Sequence, residues 1–237
     1  LRGYDNIPEN DDILLDLPFY EGVGTITRDQ AKPHHQDVIL VNGPAWTTLA
    51  SGLVVLDFDG TNDYLELDGA ACADLDFIAG DYSLGAWVNW TDTSTSVNVM
   101  GRYELNVSGW ELYFYGGPNY LTLRHHHAGT LVPPIIGQPR SGCYSIGWTP
   151  GTWWLMGLSR TGGGEAFHYR NGIAIPISTS GLADPETSAN DLVIGSRYTK
   201  NADRYKGQMW RPRIWQRALT ASGWMNLFET ERGWFGV

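Results

Sequence analysis

The sequence predicts an all-β fold, a two-sheet antiparallel jelly-roll sandwich with a short C-terminal helix. Three observations carry this expectation. First, 29 glycines and 12 prolines cut the 237 residues into short apolar runs, which favours strands joined by turns over long helices. Second, the runs alternate with period two. Tyr82, Leu84, Ala86, Val88 and Trp90 share one face opposite Ser83, Gly85, Trp87 and Asn89, and Trp110, Leu112 and Phe114 lie opposite Glu111, Tyr113 and Tyr115. Third, turn clusters separate the runs, as where Asp59-Gly60-Thr61-Asn62-Asp63 divides residues 53–58 from 64–67 in hairpin fashion.

Taken in order, residues 1–12 are polar and read as an N-terminal arm, and residues 13–237 form one domain. An apolar run at 13–19 ends in Glu21-Gly22-Val23-Gly24, and a short strand at 38–41 ends in Asn42-Gly43-Pro44. Beyond the alternating strands at 82–90 and 110–115, the turn Gly116-Gly117-Pro118-Asn119 leads to a return strand at 120–127. Residues 128–150 are rich in glycine and proline and read as a long loop. Strands at 153–160, 166–169, 173–177, 192–194 and 208–215 complete the set. Thr220 is placed to cap a helix through Trp224, Leu227 and Phe228 that Gly233 stops. Trp87 and Trp153 are expected between the two sheets.

The formal net charge of -10, from 16 basic and 26 acidic residues, argues against nucleic acid as a partner, and no basic run offsets it. No apolar stretch is long enough to insert in a membrane. Cys72 and Cys143 are the only cysteines; two do not make a disulfide framework and do not decide the compartment. Eleven tryptophans and twelve tyrosines exceed what such a core needs, so some rings are expected at the surface.

Ordered motifs over residues 14–230 resemble the laminin-G-like branch of the concanavalin A-like lectin/glucanase superfamily. Leu17-Pro18-Phe19-Tyr20-Glu21-Gly22-Val23-Gly24 followed by Asp29 is similar to that family's opening strand and turn. The stretch from Leu56 through Asp59-Gly60-Thr61-Asn62-Asp63 to Leu65 resembles its most recognisable segment, and Tyr82-Ser83-Leu84-Gly85-Ala86-Trp87-Val88 its tryptophan strand. Gly151-Thr152-Trp153, Tyr169-Arg170-Asn171-Gly172, Ile194-Gly195, Tyr205-Lys206-Gly207 and the run from Ile214 to Thr220 follow in order. The resemblance implies burial of Trp46, Trp87, Trp153 and Trp215. It says less about function, because this fold hosts lectins, adhesion modules, glycosidases and virion proteins.

The resemblance also raises a structural calcium, which members of the family hold with an aspartate shortly after the Lys-Gly pair. Here that stretch reads Gly207-Gln208-Met209-Trp210-Arg211, and Trp210 supplies no oxygen ligand. Asp57, Asp59, Asn62 and Asp63 still cluster closely enough for calcium, although Asp and Asn beside glycine equally stabilise a tight turn. Apart from this ion, no cofactor is expected. His125 and His127 share a strand face and stand as a weak transition-metal pair against the plainer reading of a polar strand end, and Lys32-Pro33-His34-His35 reads as a turn.

Retaining glycosidases set two carboxyl groups about 5–5.5 Å apart. The nearest echo, Asp74-Leu75-Asp76-Phe77-Ile78-Ala79, has no glutamate and lies in a loop, so it reads as a solvated acidic loop and the chain as no enzyme. The aromatics suit a saccharide better. Tyr113 and Tyr115 share a face with Glu111, across a turn from Tyr120 and Arg124, and Trp110 and Trp148 offer further rings. Sugars stack their C–H faces on such rings while polar groups take the hydroxyls; sheet packing or a homo-oligomer interface would use the same residues. The expected function is a non-catalytic carbohydrate-binding or adhesion module for a glycan or polysaccharide, on an extracellular or virion surface. The alternative is a structural virion protein that docks on other virion or surface subunits, with the arm at 1–12 reaching a neighbour.

Overall fold

A computed structural model describes residues 7–32, 34–92, 96–115, 120–129, 140–179 and 182–237. Their strands are β1 (Ile13–Asp16), β2 (Ile26–Thr27), β3 (Val38–Val41), β4 (Ala45–Thr48), β5 (Val54–Asp59), β6 (Tyr64–Leu67), β7 (Tyr82–Trp90), β8 (Val97–Glu104) and β9 (Ser108–Tyr115). There follow β10 (Tyr120–His126), β11 (Arg140–Ser145), β12 (Trp154–Arg160), β13 (Ala166–Arg170), β14 (Ile173–Ile175), β15 (Ile177–Thr179), β16 (Leu192–Ile194) and β17 (Lys206–Trp215), then the helix α1 (Ala221–Glu231). Two antiparallel sheets result. The first runs β14-β13-β12-β7-β17-β5-β4 with β1 also paired to β17, and the second runs β15-β11-β10-β9-β8-β16-β6-β3-β2. This is the all-β sandwich that the alternation predicts.

The apolar faces meet between the sheets. Trp90 of β7 stacks on Phe114 of β9 with ring centroids 3.9 Å apart, and Phe77 stacks on Tyr82 while lying against Trp110. Each fully buried side chain of this size contributes about 1.5–3 kcal/mol relative to exposure.

Trp87 corrects one expectation. It is fully buried, but on the face of β7 that points away from the second sheet. There it stacks on Phe228 and Phe235 and donates Nε1–H to Glu231 at 2.8 Å. The outer face of the first sheet is therefore a second core, closed by α1 and the residues after it. Gly85 of β7 and Gly157 of β12 are cross-strand neighbours, and a Cβ on either would come within 2.7 Å of the Trp224 ring. The two glycines thus make the slot into which the helix sets its tryptophan. The expectation that Trp153 lies between the sheets fails for the same reason, because it is half-buried against Phe235. Trp46 is also only half-buried, edge-on to Phe19.

Three further readings change. Within 128–150, expected as a loop, residues 140–145 form β11 and pair with β10; residues 130–139 and the turn at 116–119 lie outside the described residues. The single run at 173–177 is two strands, because Pro176 breaks it: β14 joins the first sheet and β15 the second. Residues 7–12 of the arm dock on their own domain. Glu9 accepts from Trp215 Nε1 through its carbonyl at 2.6 Å and from Asn226 through its side chain at 3.1 Å.

Candidate functional site

The outer face of the second sheet carries the site. Strand alternation turns Trp110, Leu112 and Phe114 into the core, so Glu111, Tyr113 and Tyr115 point the other way. On β10, Tyr120, Thr122 and Arg124 lie directly opposite Tyr115, Tyr113 and Glu111. The row through Glu111 and Arg124 ends in Gly101 on β8 and Gly142 on β11. Gly101 leaves room for the Tyr103 ring, which lies where a Cβ would be. The connection from β16 to β17 forms the wall. Asn98 donates its backbone N–H to the Asp203 carbonyl at 2.7 Å, and Lys200 ties this loop to Glu66 and Asp191 at 2.8 Å each.

These elements enclose a hollow of about 250 Å³ lined in part by Tyr103, Glu111, Tyr113, Tyr115, Arg124, Arg140, Arg197 and Asp203. Four of the residues expected to bind a saccharide, Glu111, Tyr113, Tyr115 and Arg124, meet there. Tyr115 is the exposed ring at 52 %, whereas Tyr113 is 5 % exposed with Arg124 4.7 Å over its ring. Arg124 donates to Glu111 Oε1 at 2.9 Å and to the Tyr113 hydroxyl.

Glu111 is the polar centre. His126 lies 3.2 Å from Oε1 and Asn98 donates to Oε2 at 3.3 Å. Burial pushes the Glu111 carboxyl up, but the hydrogen bond from His126 and the charge of Arg124 more than reverse this and hold it below the ordinary carboxylate range. Burial pushes His126 down despite Glu111, so the ring is neutral near pH 7. Its Nδ1 accepts the Asn106 backbone N–H at 3.2 Å, which assigns the proton to Nε2, facing the carboxylate. The fixed positive charge against Glu111 is then Arg124. Burial likewise raises the Tyr113 hydroxyl to about 12, so it stays protonated.

Other expected site residues lie elsewhere. Trp110 and Trp148 are 0 % and 1 % exposed and donate their indole N–H to the Leu75 carbonyl and to Ser145 Oγ. They are core residues, and their expected place at a ligand surface is corrected. Tyr120 borders the site without lining the hollow and stacks on Tyr144 at 4.9 Å. Arg140, Arg197, Asp203 and Tyr103 belong to the hollow and escape sequence reasoning: a strand inside a presumed loop brings in Arg140, a long connection brings in Arg197 and Asp203, and β8, a strand not expected from the sequence, brings in Tyr103.

The metal expectations do not find a cluster. Asp59 Oδ1 accepts from the backbone N–H of Thr61 and Asn62 at 2.6 and 3.3 Å. Asp63 accepts from the Asp59 N–H, and Asp57 accepts from Gln208. Asn62 gives its carbonyl to the Asn42 side chain. Among the described residues no three His, Cys, Asp or Glu side chains group to hold a metal ion. His125 faces the core, between the Tyr82 hydroxyl at 2.5 Å and the Ala183 carbonyl at 2.6 Å, while His127 lies against Ser141. The acidic loop at 74–76 is not simply solvated either. Asp74 meets His35 at 2.9 Å, and Asp76 takes the buried Arg102 at 3.2 Å. Cys72 and Cys143 are both free and buried. No helix among the described residues is long and apolar enough to cross a membrane.

The same architecture occurs in solved structures. The binding domain of botulinum neurotoxin serotype G superposes with a TM-score of 0.70 at 12 % identity, over 92 % of this chain and 51 % of that one. The binding domain of Paraclostridial Mosquitocidal Protein 1 gives 0.67 at 14 %, over 94 % and 53 %. The botulinum serotype D ligand binding domain, solved in complex with N-acetylneuraminic acid, gives 0.68 at 13 %, over 94 % and 52 %. This chain spans about half the length of the structures it matches, and at such identities the likeness is one of fold. No curated protein matches the sequence. The model of the laminin-G-like family does match, over residues 59–223, and the chain belongs to that family of the concanavalin A-like lectin/glucanases superfamily.

Proposed function

We propose that the chain is a non-catalytic binding module that takes a saccharide unit in the hollow over β9 and β10. The observation that carries this reading is the exposed Tyr115 ring beside a pre-assembled polar row of Glu111, Tyr113 and Arg124. A flat apolar face next to fixed hydrogen-bonding groups is what a sugar ring requires. A hollow of about 250 Å³ lies below the roughly 300–1,000 Å³ usual for drug-sized ligands, so it suits one sugar unit, with the neighbouring Tyr120 and Tyr144 as a shelf for the next. Glu111 is spent on Arg124, His126 and Asn98, which supports a positioning role over a nucleophilic one. The setting proposed for such a module is an extracellular or virion surface. Binding of the wild-type chain to a glycan array, lost in Tyr115→Ala, tests the reading. A wild type that binds no glycan would overturn it in favour of the structural virion role.

A further inference from the structure

The charges around the hollow are unequal in how they are used. Glu111 is fully engaged: Oε1 takes Arg124 and His126, Oε2 takes Asn98, and the Tyr103 hydroxyl bonds the same carboxylate. Arg124 is spent on Glu111 and Tyr113. Arg197 stands 3.8 Å from Asp203, outside hydrogen-bond range, and lies over the Tyr198 ring at 5.6 Å. Arg140 lines the hollow, and its guanidinium makes no hydrogen bond or ion pair with any described residue. Three arginines thus face two carboxylates, and the positive charge left over resides on Arg140. A neutral sugar needs acceptors as well as donors for its hydroxyls. This hollow offers free donors at Arg140, while its central carboxylate is taken up and its other carboxylate, Asp203, lies against Arg197.

Resting on the saccharide reading above, we infer that the hollow selects a saccharide carrying an anionic group, a carboxylate or a sulfate, with Arg140 as its anchor and the Tyr115 ring as its platform. The guanidinium fork matches a planar or tetrahedral oxyanion with two parallel N–H bonds, which an ammonium does not reproduce. Arg140 enters from the first residue of β11, opposite His126, and that register places it beside the Glu111–Arg124 row. The inference concerns a single anionic group and not a polyanion. The chain's net charge of -10 repels a long polyanion, whereas repulsion from distant carboxylates is screened beyond about 8–10 Å at physiological salt.

The test titrates the full chain with two matched pairs, trigalacturonate against its methyl ester and galactose 6-sulfate against galactose. At least one anionic member is expected to bind tenfold or more tightly than its neutral partner. Arg140→Gln should erase that gap, and Arg140→Lys should restore only part of it. Because Arg140 has no hydrogen-bond or ion-pair partner among the described residues, neither variant should change the melting temperature, and 1 M salt should narrow the gap in the wild type without unfolding it. The pair that shows the gap tells carboxylate from sulfate. Equal binding of anionic and neutral members, or a gap that survives Arg140→Gln, would overturn the inference while leaving the saccharide reading in place. Absence of binding by all four sugars and by a wider array would overturn both.

Discussion

Arg213 and Glu231 form a buried, two-pronged pair, with Nη1 on Oε1 and Nη2 on Oε2, each at 2.8 Å. The same carboxylate takes Arg211 at 2.9 Å and the Trp87 indole at 2.8 Å, and Arg211 reaches on to Asp16 with two bonds of 2.9 Å. Five side chains thereby fasten the C-terminal end of α1 to β7, β17 and β1. This arrangement needs the break in β17 between Trp210 and Arg213, where Arg211 takes φ 53° and turns toward Asp16. The start of α1 is held by the Thr220 cap and by Trp224, whose indole donates to Ser159 at 2.9 Å, and the network at Glu231 holds its other end. Glu231→Ala should cost about 3–5 kcal/mol, since removing one partner strands a buried guanidinium. Trp87→Ala should cost a similar ~3–5 kcal/mol through the cavity it leaves. Urea denaturation of each variant measures this, and a loss below about 1 kcal/mol would show that the helix is dispensable to the fold.

The pH dependence of stability should peak near the ordinary histidine value. Burial opposes charge on His35, but hydrogen bonds to Asp29 at 2.7 Å and Asp74 at 2.9 Å prevail and raise it to about 9. A raised value means that the stabilisation is whole below about pH 6.5, the unfolded value, and is lost as pH climbs through about 9. A shift of that size corresponds to on the order of 3 kcal/mol, reduced by solvent screening at half-exposed Asp74. Burial lowers His125 and His168 to about 3, so their contribution runs the other way and is lost as pH falls from about 6.5. Thermal melts from pH 5 to 10 should therefore show a maximum near 6.5. His35→Gln should flatten the alkaline limb and leave the acidic one; an unchanged alkaline limb would remove His35 as its source.

The loop at 59–63 should not need calcium. Its carboxylates accept the backbone N–H groups of the turn itself, which is the work an ion would otherwise do. EDTA should leave the melting temperature unchanged, and Asp59→Ala should cost about 0.5–2 kcal/mol, as loss of a comparable side-chain cap does, whether or not calcium is added. A drop with EDTA that calcium reverses would restore the metal site.

Much of this fold is legible in the sequence because strands state their faces. The alternation over 82–90 and 110–115 separates the side chains that meet between the sheets from those on the outer faces, and it brings Glu111, Tyr113 and Tyr115 together on one of those faces. The same alternation argues against a surface place for Trp110, which shares its face with Leu112 and Phe114. What the sequence hides is tertiary. The period of β7 cannot say that its second face is also buried, because α1 supplies that cover from the far end of the chain. Arg140, Arg197 and Asp203 reach the hollow through an unmarked strand and a long connection. Their polar surroundings carry no periodic signal by which a register could be assigned.

The two tyrosines of the site should separate under mutation, although they look equivalent in sequence. Tyr115 is half exposed and Tyr113 is 5 % exposed, with its hydroxyl bonded to Arg124 and its ring beneath that guanidinium. Tyr115→Ala removes a platform and little packing, so glycan affinity should fall while the melting temperature holds. Tyr115→Phe keeps the flat face and should retain most of the affinity. Tyr113→Ala opens a void beneath Arg124 and frees it from one of its two partners. Loss of a buried aromatic ring costs about 3–5 kcal/mol, and Arg124 would still be held by Glu111, so destabilisation should accompany any loss of binding. Tyr113→Phe removes only the hydroxyl, and its cost should be nearer the 1–3 kcal/mol of a partner left unsatisfied. Melting temperature measured beside affinity for all four variants distinguishes these effects. If Tyr115→Ala binds glycan as tightly as the wild type, the platform lies elsewhere, with the Tyr120–Tyr144 stack on the same sheet as the next candidate.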